Sequence, residues 1–374
     1  MRYICILLII IICGCTRSYK HQQIETIHVD LDHQTNSLRN IPADTLFRSA
    51  NYIPLETTDS SLLSEISKII IYNDNYYILD RPYKSLFVFD INGKFVRKLS
   101  KIGRGPDEYL SLEDFDILND TLYVLSSISQ KIMIFDLTLH PINEIKTGTF
   151  CTNISVVKNR IFVFNNFLAD DLKNFYAINK ANYNIVEKFV DFPKEKRGVS
   201  KTISIFTRYN NELYNILPYD YYIYQIDGTS LLPKLAIDFG EKHMFPSEFK
   251  NYPSERQKNY ITAHYKDWLE MPVDGIDNLY LSDKYLFFTF VNSIFPYIYL
   301  RNNKTADQYW GNLHGTVNYP LANNRFCFIN DTTYICLNSA ENVIGHIERG
   351  NKLPEHLYKL KIDDNPVLAV FKFK

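Results

Sequence analysis

Chemistry needs polar groups held close together, and the densest such group in this chain is the stretch 102–116, IGRGPDEYLSLEDFD. Gly103 and Gly105 flank Arg104 and permit close backbone approach. The planar guanidinium of Arg104 suits a carboxylate or a phosphate, which it can hold through two parallel hydrogen bonds. The same arginine has acidic neighbours, Asp107, Glu108 and Asp114, and a local ion pair with one of them would simply brace the loop. Tyr109 offers an aromatic face that either stacks on a ligand or wedges between neighbouring sheets.

Elsewhere the reactive residue types are scattered. The nine histidines are dispersed, with no H-E-x-x-H pair, no Cys/His set at zinc spacing and no EF-hand loop. Neither a G-x-S-x-G elbow nor a Walker loop occurs. Asp90, Asp136 and Asp227 resemble a carboxylate set, but each precedes a hairpin turn, where aspartate serves as a cap. A net charge of −1 argues against a nucleic-acid partner, which requires a basic face to neutralise phosphates.

The N-terminus is a targeting segment. Arg2 supplies a positive charge, residues 4–12 are apolar apart from Cys5, and Ile12-Cys13-Gly14-Cys15 follows. That order resembles the lipobox of bacterial lipoproteins, in which a small residue precedes a cysteine that is acylated and becomes the new N-terminus. Residues 1–15 are therefore read as a signal peptide with lipidation at Cys15, and residues 16–40 as a flexible tether. Three thiols remain, Cys151, Cys327 and Cys336, too few and too scattered for a disulfide framework. A hairpin around Asn330-Asp331 would set Cys327 opposite Tyr334, so free thiols are expected.

Residues 41–374 must position whatever site exists. Tyrosine and phenylalanine are abundant, with 28 and 25 residues, which favours strands. Strand signals come in fours: 66–72, 76–80, 85–90 and 94–99; 114–118, 121–126, 131–136 and 141–146; 154–157, 160–165, 175–179 and 185–190; 204–207, 212–216, 221–227 and 233–238; 276–281, 285–290, 296–301 and 305–310. Asn92-Gly93 reads as a type I′ hairpin turn and Asp227-Gly228 as a second hairpin turn. A sixth set, 325–329, 333–337 and 366–373, lacks one strand. The orphan strand 51–56 supplies it. Two helical insertions break the rhythm, at 246–271 and 340–359. Four strands repeating every 40 to 50 residues or so predict an all-β, six-bladed β-propeller. Its N-terminal strand closes the last blade and leaves no open edge.

The runs IPLETTDSSLLSEISKIIIYNDNYYILD and FVFDINGKFVRKLSKIGRGPDEYLSLEDFDI, with the closing DDNPVLAVFKFK, resemble the six-bladed propeller lipoproteins of Bacteroidetes, which have NHL-like repeats. Asp107 stands where that family's loop usually has glycine. The resemblance implies the fold and export, and no particular activity.

Propeller topology sends the loops between second and third strands, and the connections from each blade to the next, to one face around the central channel. That face should gather Arg81, Lys84, Arg104, Tyr109, Tyr219, Asp220 and His314 as ligand-binding candidates, together with both insertions and a solvated Asp170-Asp171 loop tip. The inner strands read as mostly apolar, with few metal ligands. The expected function is therefore a membrane-anchored, exported binding or scaffold module. No catalytic residue and no cofactor is expected. The alternative is a metal-dependent lyase or lactonase of NHL-like type, holding calcium or zinc in the channel. Thr16 follows the cysteine in place of the aspartate that retains lipoproteins in the inner membrane. The tether begins Thr16-Arg17-Ser18-Tyr19-Lys20 and has no acidic residue before Glu25. These features predict an outer-membrane lipoprotein facing the periplasm, with cell-surface display as the alternative. Its partners would be the membrane, through the lipid, and an envelope protein or small solute.

Overall fold

The computed structural model describes residues 24–31, 40–198 and 204–374, the side chains of Trp268 and Cys327 aside. Cys15 lies outside these residues. Six antiparallel sheets follow one another along the chain, forming a six-bladed β-propeller. Blade 1 comprises Lys68–Tyr72, Asn75–Asp80, Ser85–Asp90 and Phe95–Leu99. Blade 2 comprises Asp114–Leu118, Thr121–Ser126, Lys131–Asp136 and Pro141–Lys146. Blade 3 comprises Asn153–Val157, Arg160–Phe164, Lys173–Asn179 and Ile185–Asp191. Blade 4 comprises Phe206–Tyr209, Glu212–Asn215, Tyr222–Asp227 and Ser230–Asp238. Blade 5 comprises Ile276–Leu281, Tyr285–Asn292, Phe295–Asn302 and Gln308–His314. Blade 6 takes Phe326–Ile329, Thr333–Asn338 and Val367–Phe373 from the C-terminus and Phe47–Pro54 from the N-terminus.

The closing strand pairs antiparallel with the last strand, from Phe47 against Phe373 to Pro54 against Val367. It begins earlier than the sequence suggests because Phe47 is buried and stacks on Phe371 at 4.8 Å. Part of the predicted tether is also structure. Glu25–His28 adds a parallel fifth strand to blade 4, and Asn40–Pro42 does the same for blade 5. Ile27, Val29 and Leu31 are buried there. The N-terminal segment thus lines the outer edges of blades 4, 5 and 6 in turn.

Local sequence sets the turns. Asn73-Asp74, Asn119-Asp120 and Asn210-Asn211 join first to second strands with φ between 46° and 62° at both positions, as type I′ turns require. Asn92-Gly93 differs from the expectation: only Gly93 is left-handed, at φ +84°. The register shifts between Val88 and Phe89, so the turn is a bulged one. The fourth-blade turn is centred one residue later than expected, on Gly228 and Thr229 between the paired Asp227 and Ser230. The hairpin of blade 6 is bulged as well, and Ile329, not Cys327, pairs with Tyr334. Cys151 and Cys336 are buried free thiols.

The hydrophobic core lies between blades. Leu79 and Val88 of blade 1 meet Phe115 and Val124 of blade 2, and Ile78 and Phe87 meet Ile335 and Leu368 of blade 6. Flat aromatic rings suit these broad interfaces, which is why the chain is rich in them. The second strand of every blade ends at, or one residue before, a buried polar side chain: Asp80, Ser126, Asn165, Asn215, Asn292 and Asn338. In blade 1 the carboxylate of Asp80 accepts from the backbone of Ser64 and Tyr83, at 2.6 and 2.9 Å. In blade 6 the amide of Asn338 donates to Leu321 O at 3.0 Å. Asp80 and Asn338 thereby satisfy loop backbone that would otherwise be buried unpaired, whereas the amide of Asn215 in blade 4 is buried without a partner.

The insertion after blade 4 contains the helix Ser254–His264 flanked by short 3-10 turns. The one in blade 6 is two pieces, Ala340–Glu348 and the 3-10 turn Glu355–Lys359. Gly350, at φ +84°, and Pro354 separate them. Among the described residues no helix is long and apolar enough to cross a membrane.

Candidate functional site

The inner strands of the six blades enclose a channel cavity of about 880 Å³. It is more polar than the sequence suggests, because acidic residues alternate with apolar ones along these strands. Asp114 takes Lys68 of blade 1 at 2.7 Å through one oxygen and Ile154 N of blade 3 at 2.9 Å through the other. Asp116 takes Arg208 of blade 4 at 2.9 Å and Val156 N of blade 3 at 2.7 Å. Arg208 also donates to Val156 O at 2.7 Å. Each carboxylate is almost fully buried and ties three blades together. Such saturated groups hold the ring in register; they are not free to bind a substrate. Among the described residues no group of three or more His, Cys, Asp or Glu side chains is placed to hold a metal ion.

The candidates from the sequence fall in different places. Arg81 lines the channel, with Nε donating to Glu113 O at 2.8 Å. Lys84 and Arg104 stand on the loops outside it. Arg104 is exposed and pairs with none of its acidic neighbours; Glu108 instead accepts from Gly105 N at 2.6 Å and braces the loop. Tyr109 is buried between blades 1 and 2. Its hydroxyl donates to Lys84 O at 2.9 Å and accepts from Lys101 N at 3.2 Å. Burial pushes this phenol up to about 12. His314 is exposed at the end of the outer strand of blade 5, paired with Pro42. Asp171 is held by Tyr176 and Lys188 at 2.7 and 2.8 Å, so that loop tip is tied down. Asp90 and Asp136 cap their turns: Asp90 accepts from Asn92 N and Asp136 from Thr138 N.

Tyr219 and Asp220 are brought together with the first insertion. They border a second cavity of about 740 Å³, walled by Tyr221 and Tyr222 of blade 4 and by Phe245, Tyr260 and Tyr265 of the insertion. The Tyr221 hydroxyl clasps both ends of the insertion, donating to Val273 O at 2.6 Å and accepting from Phe245 N at 2.8 Å. Phe245 stacks on Phe249 at 4.1 Å, and Tyr219 meets Phe249 edge-on at 5.1 Å. Gly275 fits here because a Cβ would approach Asp220 O and Tyr219 N at 3.2 Å, and its φ is +100°.

At the floor Asp220 is buried, accepting from Tyr224 Oη at 2.9 Å and Lys250 Nζ at 2.7 Å. Asp238, Glu241, Lys242 and Ser247 add polar groups to the lining. Burial raises the phenol pKa values of Tyr219, Tyr221 and Tyr265. Their hydroxyls stay protonated at neutral pH, that of Tyr221 being already spent on Val273 O. This arrangement can stack a flat ligand and hydrogen-bond its edges. Sequence reading flagged Tyr219, Asp220 and the insertion, but not Tyr221, Tyr222 or Phe245. The aromatic spacing inside the insertion was the available signal.

Comparison with known proteins agrees with the architecture. An expected exported protein of Bacteroides fragilis is 17% identical over 94% of this chain and 99% of its own, with a TM-score of 0.74. A member of the DUF4221 family from Bacteroides vulgatus is 10% identical over 88% of this chain and 97% of its own, with a TM-score of 0.53. Such likeness shows the shared fold. No curated protein matches the chain. A family model described as a domain of unknown function, DUF4934, matches residues 26–372, and the chain belongs to that family.

Proposed function

We propose that this protein is an exported, lipid-anchored propeller that binds a ligand in the aromatic cavity between blade 4 and its insertion. The observation that carries the proposal is the cavity itself: six aromatic side chains from two separate parts of the chain surround about 740 Å³. The size suits a small ligand or one end of a larger one. The preferred ligand has a flat apolar face and polar groups at its edge. The rings provide stacking surfaces, while the Tyr219 hydroxyl, Lys250 and Lys242 supply donors. The lipobox at Cys15 and the resemblance to NHL-like Bacteroidetes lipoproteins support export and anchoring. The Bacteroides fragilis relative, named for its expected export, is consistent with that reading. Envelope proteins and periplasmic solutes are the partners this location offers.

A thermal-shift screen against oligosaccharides and aromatic solutes tests the proposal. A compound that stabilises the wild type should bind Tyr222→Ala and Tyr265→Ala about three- to ten-fold more weakly, since a stacked aromatic contact contributes about 0.5 to 1.5 kcal/mol. Neither variant should melt much earlier without ligand, because both rings retain solvent exposure. Equal binding by wild type and both variants would refute the site.

A further inference from the structure

The two faces of the propeller expose different things. Chain topology places the loops between second and third strands, and the connections between blades, on one face; all other hairpins emerge on the opposite face. On blades 1 to 3 four successive loops of the first face each carry an exposed large apolar residue: Tyr83 at 47%, Ile102 at 51%, Ile128 at 53% and Phe150 at 42%. In the turns of the opposite face, among the described residues, only Ile91 is a large apolar side chain so exposed, at 39%, while Val96, Ile142 and Val186 are exposed along the outer strands.

These four loops are fastened to one another. Tyr109 Oη donates to Lys84 O at 2.9 Å, joining the first loop to the second. Leu110 N donates to Ser129 Oγ at 3.0 Å and Ile128 N to Ser111 Oγ at 3.0 Å, joining the second to the third. Thr147 N donates to Gln130 O at 2.9 Å, joining the third to the fourth. The apolar side chains therefore form one fixed patch on four neighbouring loops.

Cations are interleaved with them. Lys84, Lys101 and Arg104 lie on the first two loops, and none makes a side-chain hydrogen bond or ion pair among the described residues. The acids nearby are occupied or withdrawn. Glu108 is bound to Gly105 N and Asp114 to Lys68, while Asp107 and Glu113 are half-buried.

We propose that this face of blades 1 to 3 rests on an anionic phospholipid surface. Apolar tips flanked by unpaired lysine and arginine suit the boundary between lipid headgroups and acyl chains, where the tips enter the apolar layer and the cations meet phosphate. The tips belong to four separate loops of one face. A deformable bilayer fits such a surface, whereas a protein partner would need a matching recess for each tip. This proposal is independent of what the aromatic cavity holds.

The test uses the chain from Thr16 onward, made without its acyl group, and sedimented with vesicles. Binding is expected to vesicles of phosphatidylglycerol mixed with phosphatidylethanolamine, about ten-fold more weakly to phosphatidylcholine alone, and it should weaken with salt. The double variant Ile102→Asp, Ile128→Asp should lose about ten-fold or more in affinity with an unchanged melting temperature, because both side chains are exposed. Lys101→Glu with Arg104→Glu should remove the preference for phosphatidylglycerol. Ile91→Asp, on the other face, should bind as the wild type does. Failure of the wild type to sediment with phosphatidylglycerol vesicles would overturn the proposal, including where the patch instead captures a protein. Undiminished binding by the Ile102, Ile128 double variant would overturn it equally.

Discussion

Lys196 fastens the cavity wall to the propeller. It lies in the 3-10 turn Lys194–Lys196 between blades 3 and 4 and is only 2% exposed. Its Nζ donates to Tyr252 O at 3.1 Å and sits 5.0 Å from the Phe167 ring. Burial holds its pKa down at about 8, against an ordinary value of 10.5. Between those values the unfolded chain carries a proton that the folded chain lacks, so this residue makes stability rise with pH. Below pH 8 both states are protonated and the cost of burying the charge is present in full. A shift of this size corresponds to about 3 kcal/mol, and the carbonyl hydrogen bond offsets about 1 kcal/mol. Lys196→Met should therefore stabilise the protein by about 2 kcal/mol at pH 7, with the advantage shrinking towards pH 10. Melting curves of both proteins across that range provide the measurement. A difference that does not change with pH would show that the ammonium is not held in its charged form at a cost.

At the scale of elements, the N-terminal segment makes two separable contributions. Phe47–Pro54 closes the ring, whereas Glu25–His28 only thickens blade 4. Deleting residues 24–31 removes the buried Ile27, Val29 and Leu31, each worth about 1.5 to 3 kcal/mol, yet leaves six closed blades. That protein should fold as a monomer with a lower urea midpoint. Deleting through residue 54 should expose the edge of Val367–Phe373 and drive aggregation. Size-exclusion chromatography distinguishes the two, and identical behaviour would contradict the division of roles. The blades themselves were legible because turn residues recur between alternating strands; all four strands of blade 2 stand where the sequence places them. Glu25–His28 was not, since a four-residue strand with one buried side chain carries almost no periodicity and its partner lies more than two hundred residues away. Polar residues such as Asp80 and Asn338 at the ends of second strands look like ordinary loop residues until the backbone groups they satisfy are known. The cavity was half legible for the same reason. Tyr219 and Asp220 mark one wall and the insertion the other, but Tyr221 and Phe245 meet only through the tertiary fold.

Anchoring of the pinned N-terminal strand bears on the whole molecule. With Glu25 already paired on blade 4, ten peptide units separate it from Cys15, a span of at most about 35 Å. An acyl group on Cys15 would therefore keep the propeller close to the bilayer, where the apolar and basic loops of blades 1 to 3 can reach phospholipid. Phospholipid forms the inner leaflet of the outer membrane. Under the proposed anchoring, Thr16 following the cysteine and the basic start of the tether would select the same leaflet, with the propeller in the periplasm. The ligands available in that proposed location would be solutes already imported and envelope proteins, not intact extracellular polymers. Intact cells treated with proteinase K should keep the full-length protein. Permeabilised cells should lose it, with early cleavage expected between Cys15 and Glu25, since the closed sheets leave few unpaired edges for a protease to engage. Rapid loss of the full-length band from intact cells would place the propeller on the cell surface and refute the periplasmic assignment.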